Sequence, residues 1–151
     1  MTATAPQASI NEVGPDIYRI SIAMPPCIIP GGFSFNQYLV VDQRPLLFHT
    51  GHLPHGWECG YLFDQTTRTL FCGDLFTQPG TGDRPLVSDD ILEPSEALRH
   101  QMDSFSHSRN APPLIDKLAN LRPELLACMH GSAWAGDGAA LLRQLGRSLA
   151  N

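Results

Sequence analysis

Residues 16–23 alternate, with Ile17, Arg19 and Ser21 on one parity and Tyr18, Ile20 and Ile22 on the other, which predicts a half-buried strand. Residues 35–41 and 46–50 read as a second and third strand, and the turn at 42–45 between them signals a hairpin. Residues 58–63 and 69–72 make a fourth and fifth strand about a turn at 64–68. The chain then reads as irregular from 73 to 90, where Pro79, Gly80, Gly82 and Pro85 break any period; a loop of that length is often functional. A helix is expected to open at Pro94 with Leu98, Met102 and Phe105 on its apolar face. A second, from Asn110, has the face Leu114, Ile115, Leu118 and Leu121 and ends at Arg122-Pro123. Residues 124–129 form a sixth strand stopping at His130-Gly131, and residues 137–150 a last helix with Leu141, Leu142, Leu145 and Leu149 inward. Residues 1–12 are small and polar and read as a loose arm, leaving one domain over 13–151. Strands first and helices after predict an α/β or α+β layered protein with hairpins in mixed sheets. No G-x-G-x-x-G or Walker loop follows a strand, which excludes a doubly wound nucleotide-binding sheet.

Composition narrows the partners. The 151 residues are 42% hydrophobic and 17% charged, enough for one real core. The net charge is −5 with no basic cluster, which argues against nucleic acid. The first residues lack the charged and apolar regions of a signal peptide, and no apolar run nears the ~20 residues of a membrane span, so the expected setting is cytoplasmic, without membrane. The four cysteines form no C-x-x-C pair and are expected to be reduced and mostly buried, Cys59 and Cys72 in strand-like apolar context.

Three polar residues share a topological position. His52 enters the fourth strand, Asp74 follows the fifth and His130 follows the sixth. Singly, each also reads as a surface or turn residue. Converging at one sheet edge, two imidazoles and a carboxylate would suit zinc or iron. Gly73 and Gly131 beside them would let backbone approach without a Cβ. His55 is a further candidate ligand, and Glu58 near it a thin signal for acid or base chemistry. His100 and His107 are expected to face solvent; Trp57 and Trp134 either wall the site or pack.

Four segments in order resemble the metallo-β-lactamase superfamily, most closely the branch related to the diiron domain of flavodiiron proteins. Residues 34–42 followed by 45–51 resemble that branch's opening hairpin, with His49 where Asp-Thr-Gly has its Asp. His52-Leu53-Pro54 resembles a His-x-Pro ligand segment, residues 69–74 the strand ending in a metal-bridging aspartate, and residues 129–131 the last ligand histidine. The resemblance implies an αββα sandwich, with His52 on one metal, Asp74 bridging two and His130 on the second. His55 falls where the pattern has a small or polar residue. The family's His-x-His-x-Asp-His or His-x-Glu-x-Asp-His signature is absent, and Thr50-Gly51 runs straight into His52. The sandwich is therefore expected to be incomplete, lacking an internal block near residues 50–52. Zinc or iron binding would be reduced or absent. The reading is a metal-dependent, hydrolase-like protein with impaired catalysis; the alternatives are a degenerate metal-binding or interaction protein and a diiron-type oxidoreductase fragment. Losing a block would expose apolar sheet surface, which predicts a homo-oligomer.

Overall fold

A computed structural model describes residues 8–43, 46–48, 60–102 and 110–150. Four antiparallel strands form one sheet, in the order β1 (Ala8–Gly14), β2 (Ile17–Met24), β3 (Phe33–Val40) and β4 (Leu46–Phe48). The second sheet is mixed. Its order is β5 (Leu62–Asp64), β6 (Thr69–Gly73), β8 (Leu125–Cys128), β9 (Ala133–Ala135) and β7 (Leu86–Val87), with β6–β8 and β9–β7 parallel. The helices are α1 (Leu92–Met102), α2 (Ala111–Ala119) and α3 (Gly138–Ser148).

The second sheet is buried on both faces, which is why β6 and β8 read as unbroken apolar runs. Leu70, Cys72, Leu126 and Cys128 pack against Ile115, Ala119, Leu142 and Leu145 of the helices. The opposite parity, Phe71, Leu125 and Ala127, meets Val13, Ile17 and Tyr38 of the first sheet. The layers are thus helices, mixed sheet, antiparallel sheet. Asp137 caps α3 by accepting from the Ala140 N–H at 2.9 Å.

Several sequence expectations are corrected. From Ala8 the chain is not a loose arm: it pairs with β2 over Ala8–Gly14 in place, because the polar parity of an edge strand needs only solvent on that side. The irregular stretch 73–90 contains β7, too short at two residues to show a period, and β9 was not foreseen for the same reason. Helix α1 begins at Leu92, where Asp90 accepts from the Leu92 N–H at 2.8 Å, ahead of Pro94. Its inward residue is Ser95, and Met102 is 61% exposed; Phe105 lies outside the described residues. On α2, Ile115 and Ala119 are buried while Leu114, and Leu121 beyond the helix end, stand exposed. The face of α3 is as expected, with Leu141, Leu142 and Leu145 buried.

Helix α1 meets α3 through a polar contact at the residue after Ser95. Glu96 accepts from Arg99 Nε at 2.9 Å and from the Ser148 hydroxyl. Burial alone would raise the Glu96 carboxyl, but these hydrogen bonds outweigh it and hold it below the usual range. A depressed folded pKa contributes stability that is complete above the unfolded value and lost as pH falls through the folded one. Glu96→Gln should therefore lower the unfolding free energy by about 1 kcal/mol at neutral pH. In urea titrations the gap to wild type should close as pH falls below about 4.

Candidate metal centre

The ends of β6 and β8 lie side by side because these strands are parallel neighbours, and Asp74 and His130 follow them directly. His130 Nε2 stands 3.2 Å from Asp74 Oδ1. Both side chains are almost wholly buried. Nδ1 of the ring lies 2.7 Å from the Ser34 carbonyl oxygen, which can only accept, so Nδ1 carries a proton. Two chemical states satisfy this arrangement. One is an imidazolium donating from both nitrogens. The other is a neutral imidazole whose Nε2 lone pair is offered, together with the carboxylate, to a Lewis acid. A ring fixed through Nδ1–H to a carbonyl is the usual arrangement of a metal-ligating histidine. Two ligand atoms ~2.1 Å from one ion are about 3.0 Å apart in cis-octahedral and about 3.4 Å apart in tetrahedral geometry, and the observed separation lies between them. On this observation Asp74 and His130 fit a metal.

The loop carrying His130 is held from both sheets. Asn36 Nδ2 donates to the carbonyls of Cys128 and Gly131, each at 2.9 Å, and the Asn36 N–H donates to the Met129 carbonyl at 2.8 Å. Tyr38 Oη donates to the Cys128 carbonyl at 2.8 Å; burial pushes its phenol well up, so it stays a donor. Arg19 Nη2 donates to Gly131 at 2.8 Å and to Gly82 at 3.0 Å. The Gly131 N–H donates to Ser34 Oγ at 2.8 Å. Gln78 closes the other side, accepting from the Ser132 N–H and donating to the Ser132 and Phe76 carbonyls, all at 3.2 Å.

Phe33 and Phe35 flank the imidazole at centroid distances of 4.4 and 5.2 Å. The turn after Asp74 is strained: buried Phe76 holds φ 60, uncommon for a bulky residue. Thr77 steadies it, its hydroxyl donating to the Asp74 carbonyl at 2.7 Å.

Of the sequence candidates, Asp74 and His130 are brought together. His52, His55, Trp57, Glu58, Cys59, His107 and the junction at 50–52 lie outside the described residues. Among the described residues no group of three or more histidine, cysteine, aspartate or glutamate side chains stands ready for a metal. His100 is exposed on α1. Trp134 packs against the helix-side core and donates to the Asp89 carbonyl at 2.8 Å, away from His130. Cys72 and Cys128 are buried free thiols 3.7 Å apart, and burial pushes the Cys72 thiol well up, which makes it unreactive. Sequence reasoning missed Arg19, Ser34, Asn36, Tyr38 and Gln78. The available signal was parity: Arg19 and Ser21, like Ser34 and Asn36, sit on the same parity as the buried Ile17 and Tyr38.

Three solved structures are similar to this one over nearly its whole length. A fragment (1–254) of a putative diflavin flavoprotein A 5 from Nostoc superposes with a TM-score of 0.72 at 8% identity, over 97% of this chain and 96% of that one. The metal-soaked Flv1 flavodiiron core from Synechocystis gives 0.69 at 12% identity, over 97% of this chain and 62% of that one. A mutant flavo di-iron protein from Thermotoga maritima gives 0.62 at 16% identity, over 95% and 63%. The chain has the fold of a flavodiiron core. This is the metallo-β-lactamase-like fold the sequence resemblance implied. No family model matches the sequence, and no curated protein does. Within this fold no described helix is long and apolar enough to cross a membrane.

Gly131 tests whether the loop is as tightly built as its bonds imply. It holds φ +85, and a Cβ there would meet Gln78 Cβ at 2.6 Å and Oε1 at 2.8 Å. Gly131→Ala should cost about 1–3 kcal/mol, read as a fall in melting temperature of roughly 3–9 °C. An unchanged melting temperature would mean that the loop relaxes freely.

Proposed function

We propose that the Asp74–His130 pair holds one zinc or iron ion, with His52 as a third ligand, and that the chain is a metal-dependent, hydrolase-like protein with impaired catalysis. The carrying observation is the ring commitment: Nδ1 to the Ser34 carbonyl, Nε2 toward Asp74. Asp74 supplies charge, His130 a neutral oriented donor, and Phe33 and Phe35 keep water from the ring. A resident ion would supply Lewis acidity toward water or an oxygen-bearing substrate. The absence of the His-x-His-x-Asp-His signature supports the weakened half of the reading, since those ligands would complete the coordination. An internal block missing near residues 50–52 accounts for that absence. The free thiols of Cys72 and Cys128 fit a reducing, cytoplasmic setting.

Two other readings each have an observation in their favour. The missing signature favours a degenerate, non-catalytic member. The likeness to flavodiiron cores favours a diiron-type oxidoreductase fragment.

Equilibrium dialysis against Zn²⁺ or, anaerobically, Fe²⁺, followed by elemental analysis, separates the three. One ion per chain is expected. Asp74→Ala, His130→Ala and His52→Ala should each weaken binding by more than the roughly 10–100-fold typical of losing an outer-shell partner. His100→Ala should change nothing. No ion bound would favour the degenerate reading, and two ions per chain the diiron reading; either overturns the one proposed.

A further inference from the structure

Asp74 and His130 stand at one end of the parallel strands β6 and β8, and Arg68 and Glu124 enter the same strands at the other end. There a cleft of about 910 Å³ opens between the turn before β6, the end of α2 and the start of α3. Its charged and amide side chains are Arg68, Asn120, Arg122, Glu124, Asp137 and Arg143. The volume falls in the range of small-molecule sites.

Two of the three arginines stand where the backbone favours glycine. Arg68 holds φ 54 and Arg122 φ 52, a left-handed conformation in which a Cβ crowds the following carbonyl. Backbone conformation disfavours arginine at both positions, so its presence points to the side chain. Most charges of the cleft are matched. Arg68 Nε lies 2.8 Å from Glu124 Oε1, and its Nη2 donates to the Leu121 carbonyl at 3.4 Å and to the Arg122 carbonyl, which ties the end of α2 to the start of β6. Asp137 accepts from the Ala140 N–H at the positive end of α3. Arg143 Nε lies 3.2 Å from Asp116 Oδ1, and its Nη2 donates to Asn120 Oδ1 at 2.9 Å. Arg122 is the exception. It is exposed, and its guanidinium has no hydrogen bond or ion pair among the described residues. A chain of net charge −5 thus keeps one unmatched cation in a cleft.

We infer that this cleft binds a small phosphate-bearing molecule, its phosphate taken by the guanidinium groups of Arg122 and Arg143. Guanidinium forks match phosphate oxygens. The two arginines reach the cleft from different elements, one just past the end of α2 and the other from α3. An anion between them has to present oxygens in more than one direction, which a tetrahedral phosphate does and a planar carboxylate does not. The Arg143–Asp116 pair is about half exposed on both sides, so it is weak and readily exchanged for a phosphate contact. The cleft is larger than a phosphate alone, which leaves room for an organic part. The inference does not rest on the metal reading, and its test is run on the metal-free chain.

That chain is titrated with inorganic phosphate, glucose 6-phosphate and citrate, followed in NMR spectra of the backbone amides and arginine Nε–H groups. Both phosphates should saturate one site with dissociation constants on the order of 1 mM or below. The shifts should centre on Arg122, Arg143 and the start of α3. Tighter binding of the ester identifies an organic phosphate as the occupant and equal binding free phosphate; both support the site. Arg122→Gly should weaken binding at least about tenfold without lowering the melting temperature, because glycine takes this φ without strain. Arg143→Gln should weaken binding similarly. Arg84→Gln, at an exposed arginine paired with Asp89, should bind like wild type. No saturation by either phosphate at about 20 mM overturns the inference. So does citrate binding as tightly as glucose 6-phosphate, binding unchanged in Arg122→Gly or Arg143→Gln, or binding lost in Arg84→Gln.

Discussion

The backbone carbonyl of Cys128 ends β8, that of Gly131 lies in the loop just after it, and both are reached by donors from the first sheet. A buried carbonyl without a donor costs about as much as a lost hydrogen bond. The first sheet supplies the donors: Asn36 to both carbonyls, Tyr38 to Cys128 and Arg19 to Gly131. Burial lowers the pKa of the Arg19 guanidinium by desolvation, so the position is costly, and its two carbonyl bonds offset part of that cost. The rest of the structure accommodates this polar seam.

The seam orients His130. With its loop pinned on one side by Ser34, Asn36 and Arg19 and on the other by Gln78, the ring has one hydrogen-bonded pose, Nδ1 on the Ser34 carbonyl. The long segment after Asp74 is irregular because it leaves the second sheet at β6 and runs past β2 and the start of β3 before returning to it. It sends Gln78 to Ser132 and the Gly82 carbonyl to Arg19 before joining the second sheet as β7. The inverted faces of β2 and β3 follow as well. Donors needed inside displace apolar residues outward, and the apolar outer face is the consequence.

Much of this was legible in the sequence. Apolar runs at residues 69–72 and 124–129 gave the two central strands, and the leucine period gave α3, because burial on both sheet faces or on one helix stripe writes itself as a pattern. Four ordered segments gave the fold and picked out Asp74 and His130. The polar seam was legible only as parity: Arg19 and Ser21 share the parity of Ile17, but which parity faces inward is settled by the opposing sheet. Two-residue β7 has no period to detect, and the exposed Leu114, Leu121 and Met102 show that apolar spacing overstates burial. His52 and His55 lie outside the described residues, so the proposal of His52 as a third ligand rests on the sequence alone.

The central claim is that the seam presents His130 and Asp74 as oxygen and nitrogen ligands to one ion while the adjacent thiols stay out of its shell. The visible spectrum of the Co²⁺-loaded chain tests it most directly. The account predicts weak d–d bands of a four- or five-coordinate nitrogen–oxygen site, abolished in His130→Ala, with no thiolate charge-transfer band. A thiolate band would place Cys72 or Cys128 on the ion, and an unchanged spectrum in His130→Ala would place the ion elsewhere; either contradicts the account.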